Sequence, residues 1–200
     1  MEMSLLKDLS LPAADECVYT SCYCEENVWK LCELTRATQP ELLAQCSVVF
    51  VSNRRGAVPI WRQKSGSDST GLSVWDYHVF FVYRPADGRP CQVYDLDTTL
   101  DFPVDFAVYV EHSFHPQTNL SPELAPMFRV VDASQFLDTF ASDRSRMRAP
   151  DGSWLKPPPR YPCISTPSAT DNLDEFVSVD EGVGVGKVYT LRQFVRKFDE

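Results

Sequence analysis

SVWDYHVFFVY (73–83), RPADGRP (84–90) and CQVYDLD (91–97) decide how this 200-residue chain folds. The outer strings are rich in β-branched and aromatic residues. The middle one holds two prolines, an aspartate and a glycine, so the stretch reads as two strands joined by a turn. Period-2 alternation sends Trp75, Tyr77, Val79, Phe81 and Tyr83 to one side, and Val74, Asp76, His78, Phe80 and Val82 to the other. On the second strand Val93, Asp95 and Asp97 share a side. A turn centred between Ala86 and Asp87 sets His78 opposite Asp95, whereas an Asp87-Gly88 turn sets it opposite Asp97. In either register an imidazole faces a carboxylate, which fixes its tautomer and stabilises imidazolium. A buried structural His–Asp pair with no substrate fits the same pattern.

Upstream, CSVVFVS (46–52) and AVPIWRQ (57–63) flank Asn53-Arg54-Arg55-Gly56 and read as a hairpin, with Pro59 pushing its second strand toward an edge or a bulge. KSGSDSTG (64–71) is a surface loop by composition. Cys24 to about Arg36 reads as a helix, because Val28, Leu31, Cys32 and Thr35 form one apolar stripe that Cys24 shares. Ser21 or Cys22 falls at its N-cap position, and Glu25 and Glu26 complement the dipole of its first turn. A short helix is expected over Pro40–Gln45, and longer ones over 106–114 and 133–141, the last with Asp132 as cap. Residues 142–171, with Pro157-Pro158-Pro159, read as a long irregular crossing of the surface. Thr190 and Gln193 form a capping box that opens a terminal helix carrying Leu191, Phe194, Val195 and Phe198. Helices at both ends around antiparallel strands predict an α+β fold, a central antiparallel sheet with helices packed on it. Residues 1–200 are expected to form a single domain, with 1–16 as a loose leader.

Hydrophobic residues make up 44% of the chain and charged residues 24%, which suits a globular protein and argues against disorder. The net charge of −9 is spread over both halves, so no surplus of cations is available for phosphate-backbone binding and a nucleic-acid partner is not expected. No apolar run approaches the ~18 residues of a membrane span, so no membrane association is expected. MEMSLLKDLSLPAADE (1–16) lacks the apolar core of a secretory signal. With seven cysteines, an odd number, the chain is expected in a reducing compartment, the cytoplasm, with the nucleus also open to it.

In such a compartment thiols serve as core filler, metal ligands or nucleophiles. Cys17, Cys22 and Cys24 invite a zinc reading, but no second well-spaced ligand pair follows, so neither metal nor cofactor is expected. Cys24 sits where a helix dipole and a nearby imidazolium lower a thiol's pKa, and where free backbone N–H groups can hold an oxyanion. Of the three histidines, His112 and His115 lie at a helix-to-loop boundary. There His115 is expected in solvent and His112 complements the helix C-terminus, leaving His78 as the base. Cys24, His78 and a strand aspartate are thus a coherent set for thiol acyl chemistry.

The string CVYTSCYCEENVWKLCE (17–33), with VWDYHV (74–79) and VYDLDT (93–98), closely resembles the protein N-terminal glutamine amidohydrolases. Further matches are Pro59-Ile60-Trp61, Phe102-Pro103, Arg144 within FASDRS (140–145), YPCI (161–164) and VYTL (188–191), in one order from residue 17 onward. The resemblance implies a monomeric papain- or transglutaminase-like fold with a Cys-His-Asp triad. It implies deamidation of glutamine at a protein's free N-terminus, giving glutamate and ammonia and feeding the N-degron pathway. By position, Cys24 would be the nucleophile, His78 the base and Asp95 the orienting carboxylate. The partners implied are proteins or peptides with a free N-terminal Gln. Their α-ammonium needs acceptors, for which Glu25, Asp76 and Asp97 are candidates, while Trp75 and Tyr19 are candidates to wall the pocket. The same residues would also suit a cysteine protease or transglutaminase-like transfer, and a non-catalytic interaction module is the reading from another class.

Overall fold

The computed structural model describes residues 11–118 and 120–199. Its strands, numbered in chain order, are β1 (Cys46–Ser52), β2 (Val58–Ile60), β3 (Ser73–Trp75), β4 (Tyr77–Tyr83), β5 (Gln92–Tyr94), β6 (Val104–Asp105), β7 (Met127–Asp132) and β8 (Lys187–Thr190). Six of them form an antiparallel sheet in the order β6-β5-β4-β1-β7-β8, and β2 and β3 form a separate ribbon. The helices are α1 (Cys24–Thr38), α2 (Pro40–Leu43), α3 (Phe106–Phe114), α4 (Ala133–Thr139), α5 (Leu173–Val177) and α6 (Leu191–Asp199).

Both faces of the sheet are covered, which is why β1 and β4 are almost continuously apolar. Val48, Phe50, Val79 and Phe81 pack under α1, α2, α4 and α5, with Val28, Leu31, Leu43, Phe136 and Phe176 as their partners. Val49, Val51, Phe80 and Val82 point the other way, against Tyr109, Val110 and Phe114 of α3 and Phe194 and Phe198 of α6. The expected α+β arrangement of an antiparallel sheet with packed helices is what the chain adopts. Among the described residues no helix is long and apolar enough to cross a membrane.

The hairpin expected over 46–63 does not form. Its turn does: Asn53 Oδ1 accepts the N–H groups of Arg55 and Ala57. But β1 lies between β4 and β7, and β2 pairs with β3. A fully buried Val or Phe contributes roughly 1.5–3 kcal/mol, so a strand buried on both faces belongs in the sheet's interior, and Pro59, which cannot donate, belongs in a two-stranded ribbon. Likewise 73–83 is not one strand. It breaks at Asp76, whose carbonyl accepts the Ser52 hydroxyl at 2.8 Å, and its halves enter different sheets.

β5 stops at Tyr94, so CQVYDLD is a strand only in its middle. The α1 N-cap is Tyr23, with no side-chain cap bond, in place of Ser21 or Cys22, and Asp132 precedes α4 without capping it through its side chain. The capping box at Thr190 and Gln193 is present. β7 and β8, which the pattern of Arg129 and Lys187 among apolar residues obscured, complete the sheet. Of the leader expected over 1–16, residues 1–10 lie outside the described residues. From residue 11 the chain is not loose, because Leu11 is buried in the core and Ala14–Glu16 form a 3-10 turn.

Candidate active site

Cys24 is the first residue of α1. The turn before it is fixed by Asn27, which accepts the Thr20 N–H at 2.8 Å and donates to the Thr20 carbonyl at 2.9 Å. Within that turn Cys22 takes a left-handed backbone, φ 69°, unusual for a residue with a Cβ. Behind it Glu26 is wholly buried and pairs with Arg144 through two 2.8 Å bonds. Arg144 also donates to the carbonyls of Pro159, Tyr161 and Pro162. The proline-rich 142–171 segment is thereby tied to the start of α1.

His78 is fully buried in β4, with Nε2 3.0 Å from Asp95 Oδ1. The Trp75 ring stacks on the imidazole at 5.6 Å. The other nitrogen, Nδ1, is buried without a partner among the described residues. Since the carboxylate accepts from Nε2, Nδ1 is the nitrogen left with a lone pair for an incoming proton. Burial pulls the imidazole's pKa down, but the Asp95 charge and hydrogen bond, with Asp97 and Glu25 behind them, outweigh it and the net direction is up.

The β4–β5 ladder runs Phe81 to Tyr94, Val82 to Val93 and Tyr83 to Gln92, the register of the Asp87-Gly88 turn. Continued, it would set His78 opposite Asp97. The chain instead leaves the sheet after Tyr94, and a turn in which the Asp97 N–H donates to Asp95 Oδ1 swings the Asp95 carboxylate to His78. The contact is therefore made from outside the ladder. Asp97, 7% exposed, accepts the Tyr19 hydroxyl at 2.6 Å and is pushed up by burial.

The Cys24 thiol does not have the lowered pKa expected of a helix start. Burial raises it well above the ordinary value, and the carboxylates of Glu25 and Asp97 add to this, while the Val79 N–H pulls the other way. Glu25 is itself buried, its carboxylate accepting the Tyr77 hydroxyl at 3.0 Å and the Cys24 thiol at 3.6 Å, and burial pushes its pKa up to about 7.

Cys24, Cys22, Trp75, Asp76, Asp97 and Met147 line a cavity of about 130 Å³. A larger hollow of about 650 Å³, bounded by Pro85, Pro90, Phe106 and Phe198, lies away from Cys24 and His78. Trp75 thus touches both the imidazole and the cavity that holds the thiol. Asp76 is exposed at the rim. Tyr19, which is exposed, and Glu25, which is buried, are not among the lining, the one bracing Asp97 and the other meeting the thiol. His115 caps α3 in a left-handed conformation against the Trp61 edge, and His112 is exposed, so both stand apart from this site.

Donor atoms of His78, Asp95 and Asp97 lie within 4.8 Å of one another, as in a metal site. Asp95, however, also accepts Tyr109 Oη at 2.8 Å and Gln63 Nε2 at 3.4 Å. With the His78 ring and the Asp97 N–H, these donors fill the roughly four lone-pair sites of the carboxylate, which suits an orienting anion better than a metal ligand. Tyr109, Gln63 and Asn27, and the pairing of Glu26 with Arg144, escaped sequence reading because each acts across a distance in sequence or from within an ordinary helix pattern.

An α+β protein with a thiol at a helix start and a buried imidazole–carboxylate pair beside the same cavity is equipped for acyl chemistry. The chain belongs to the N-terminal glutamine amidase family, whose model matches residues 19–198. Relatives named protein N-terminal glutamine amidohydrolase from Drosophila willistoni and Drosophila melanogaster are each 50% identical over 191 residues, 96% of this chain and 93% of theirs. The solved NMR structure of protein-glutaminase from Chryseobacterium proteolyticum is a distant likeness, with 15% identity, 68% of this chain and 61% of that one covered, and a TM-score of 0.35.

Proposed function

We propose that the protein hydrolyses the side-chain amide of an N-terminal glutamine, with Cys24 as nucleophile, His78 as base and Asp95 as the residue that orients it. The observation that carries this reading is the buried His78–Asp95 pair, its Nδ1 unpartnered among the described residues, which Trp75 and Asp97 join to the cavity that Cys24 lines. Because burial favours the neutral thiol, His78 Nδ1 takes the Cys24 proton as the sulfur attacks the glutamine δ-carbon. Backbone N–H groups in the uncapped first turn of α1 receive the oxyanion. Imidazolium then gives its proton to the departing ammonia, leaving a thioester. Water, deprotonated by His78, adds to the thioester carbonyl, and collapse returns the thiol and releases N-terminal glutamate.

The cavity is sized for one side chain. Asp76 at its rim is the acceptor we assign to the α-ammonium, since Glu25 is buried and not among the lining and Asp97 already holds Tyr19. The papain- or transglutaminase-like character of the fold, a monomeric state, and work in the cytoplasm and nucleus belong to the same proposal. Its products would enter the N-degron pathway as N-terminal glutamate. Incubating the protein and Cys24→Ala with a Gln-starting peptide tests it. Ammonia and a one-dalton mass gain are expected from the first and not from the second, while a shortened peptide would indicate proteolysis and an amine adduct would indicate transfer.

A further inference from the structure

The cavity at Cys24 is too small for more than a side chain, so the rest of a peptide substrate must run elsewhere. Asp76 and Arg146 line both this cavity and a neighbouring hollow of about 600 Å³. That hollow in turn shares Asn53, Arg54 and Val179 with a third, of about 580 Å³, which is also lined by Pro122, Ala125 and Met127 and by the exposed Arg55–Glu123 ion pair. Sharing walls in this way, the three hollows lie in series from the thiol cavity to a far hollow whose apolar side is Pro122, Ala125, Met127 and Val179.

Resting on the glutamine-amidase reading, we infer that this series of hollows is the binding groove for the residues that follow the N-terminal glutamine, with an apolar side chain preferred at its far end. The middle hollow is polar: Arg54 pairs with Asp180, and Arg146 with Asp174. Both pairs are exposed, and such pairs contribute little, so they can open to meet substrate groups of either sign. The wall is held firmly from beneath. Arg129, itself buried, donates to the Ser178 carbonyl at 3.0 and 2.7 Å, to that of Asp180 at 2.9 Å and to that of Val185 at 2.9 Å. A preformed wall loses little conformational freedom when a chain binds.

The test compares Gln-Gly amide with eight-residue Gln-starting peptides of Gly and Ser in which a single Leu is walked from position 2 to position 8. Ammonia release should rise with length, and kcat/KM should peak about ten-fold higher with Leu at one position beyond the second. Val179→Asp should lower kcat/KM for that best peptide several-fold more than for Gln-Gly amide. A profile flat in both length and Leu position, or equal losses on both substrates, would overturn the groove and leave the amidase reading standing. No ammonia from any of these substrates would overturn both.

Discussion

Asp95 shows how one carboxylate can set the acid–base chemistry of a site. Burial alone would raise its pKa, but the His78 charge and hydrogen bond, together with the Asp97 N–H and the Tyr109 hydroxyl, hold it below the usual carboxylate range. His78 experiences the mirror image, pulled down by burial and brought back above its ordinary value chiefly by Asp95. Asp95→Asn removes that charge, so the His78 pKa should fall. The acid limb of kcat/KM reports imidazolium displacing the neutral imidazole that must accept the thiol proton. It should therefore move to lower pH in the variant, while kcat drops by roughly 10²–10⁴-fold as the ring loses its preferred tautomer. Rates of ammonia release between about pH 5 and 9 read both effects. An acid limb that stays in place would show that Asp95 does not set the His78 charge.

The first turn of α1 depends on an element far away in sequence. Glu26 and Arg144 form a bidentate pair with side chains 0% and 5% exposed, and Arg144 reaches it from a left-handed backbone at φ 63° in the proline-rich segment. Removing one partner of a buried pair leaves the other charge uncompensated and typically costs about 3–5 kcal/mol. Arg144→Met should lower unfolding stability by that order in urea, and Glu26→Gln combined with it should recover part of the loss. If the double variant is as unstable as the sum of the two singles, the pair is not the interaction that matters. The sequence carried α1 itself, since its apolar stripe is local, and it carried the His–carboxylate proximity, since alternation on two adjacent strands is nearly local too. It could not carry which carboxylate reaches His78, because that depends on where β5 ends rather than on the ladder. Nor could it place β1 at the centre of the sheet, because its neighbours β4 and β7 lie some distance along the chain and only burial on both faces selects them.

At the scale of the molecule, the sheet makes the two helical layers interdependent. Neighbouring residues of one strand feed opposite cores, Val48 and Phe50 one, Val49 and Val51 the other, so neither layer can leave without exposing strands the other needs. The layer behind His78 is an aromatic network. Phe194 of α6 stacks on Phe128 at 4.2 Å and meets Phe80 edge-on at 6.2 Å, while Phe80 in turn lies 5.0 Å from Tyr109, the phenol that holds Asp95. Phe194→Ala should cost about 3–5 kcal/mol, the usual range for emptying a buried aromatic site. Because both cores share the strands, that loss should lower a single transition rather than release α6 alone. Far-UV circular dichroism, tryptophan fluorescence and residual ammonia release, followed along one denaturant series, should therefore share one midpoint in both proteins, shifted down in the variant. A circular-dichroism step that precedes loss of activity would mean that the α6 layer unfolds on its own and that the site needs only the α1 side of the sheet.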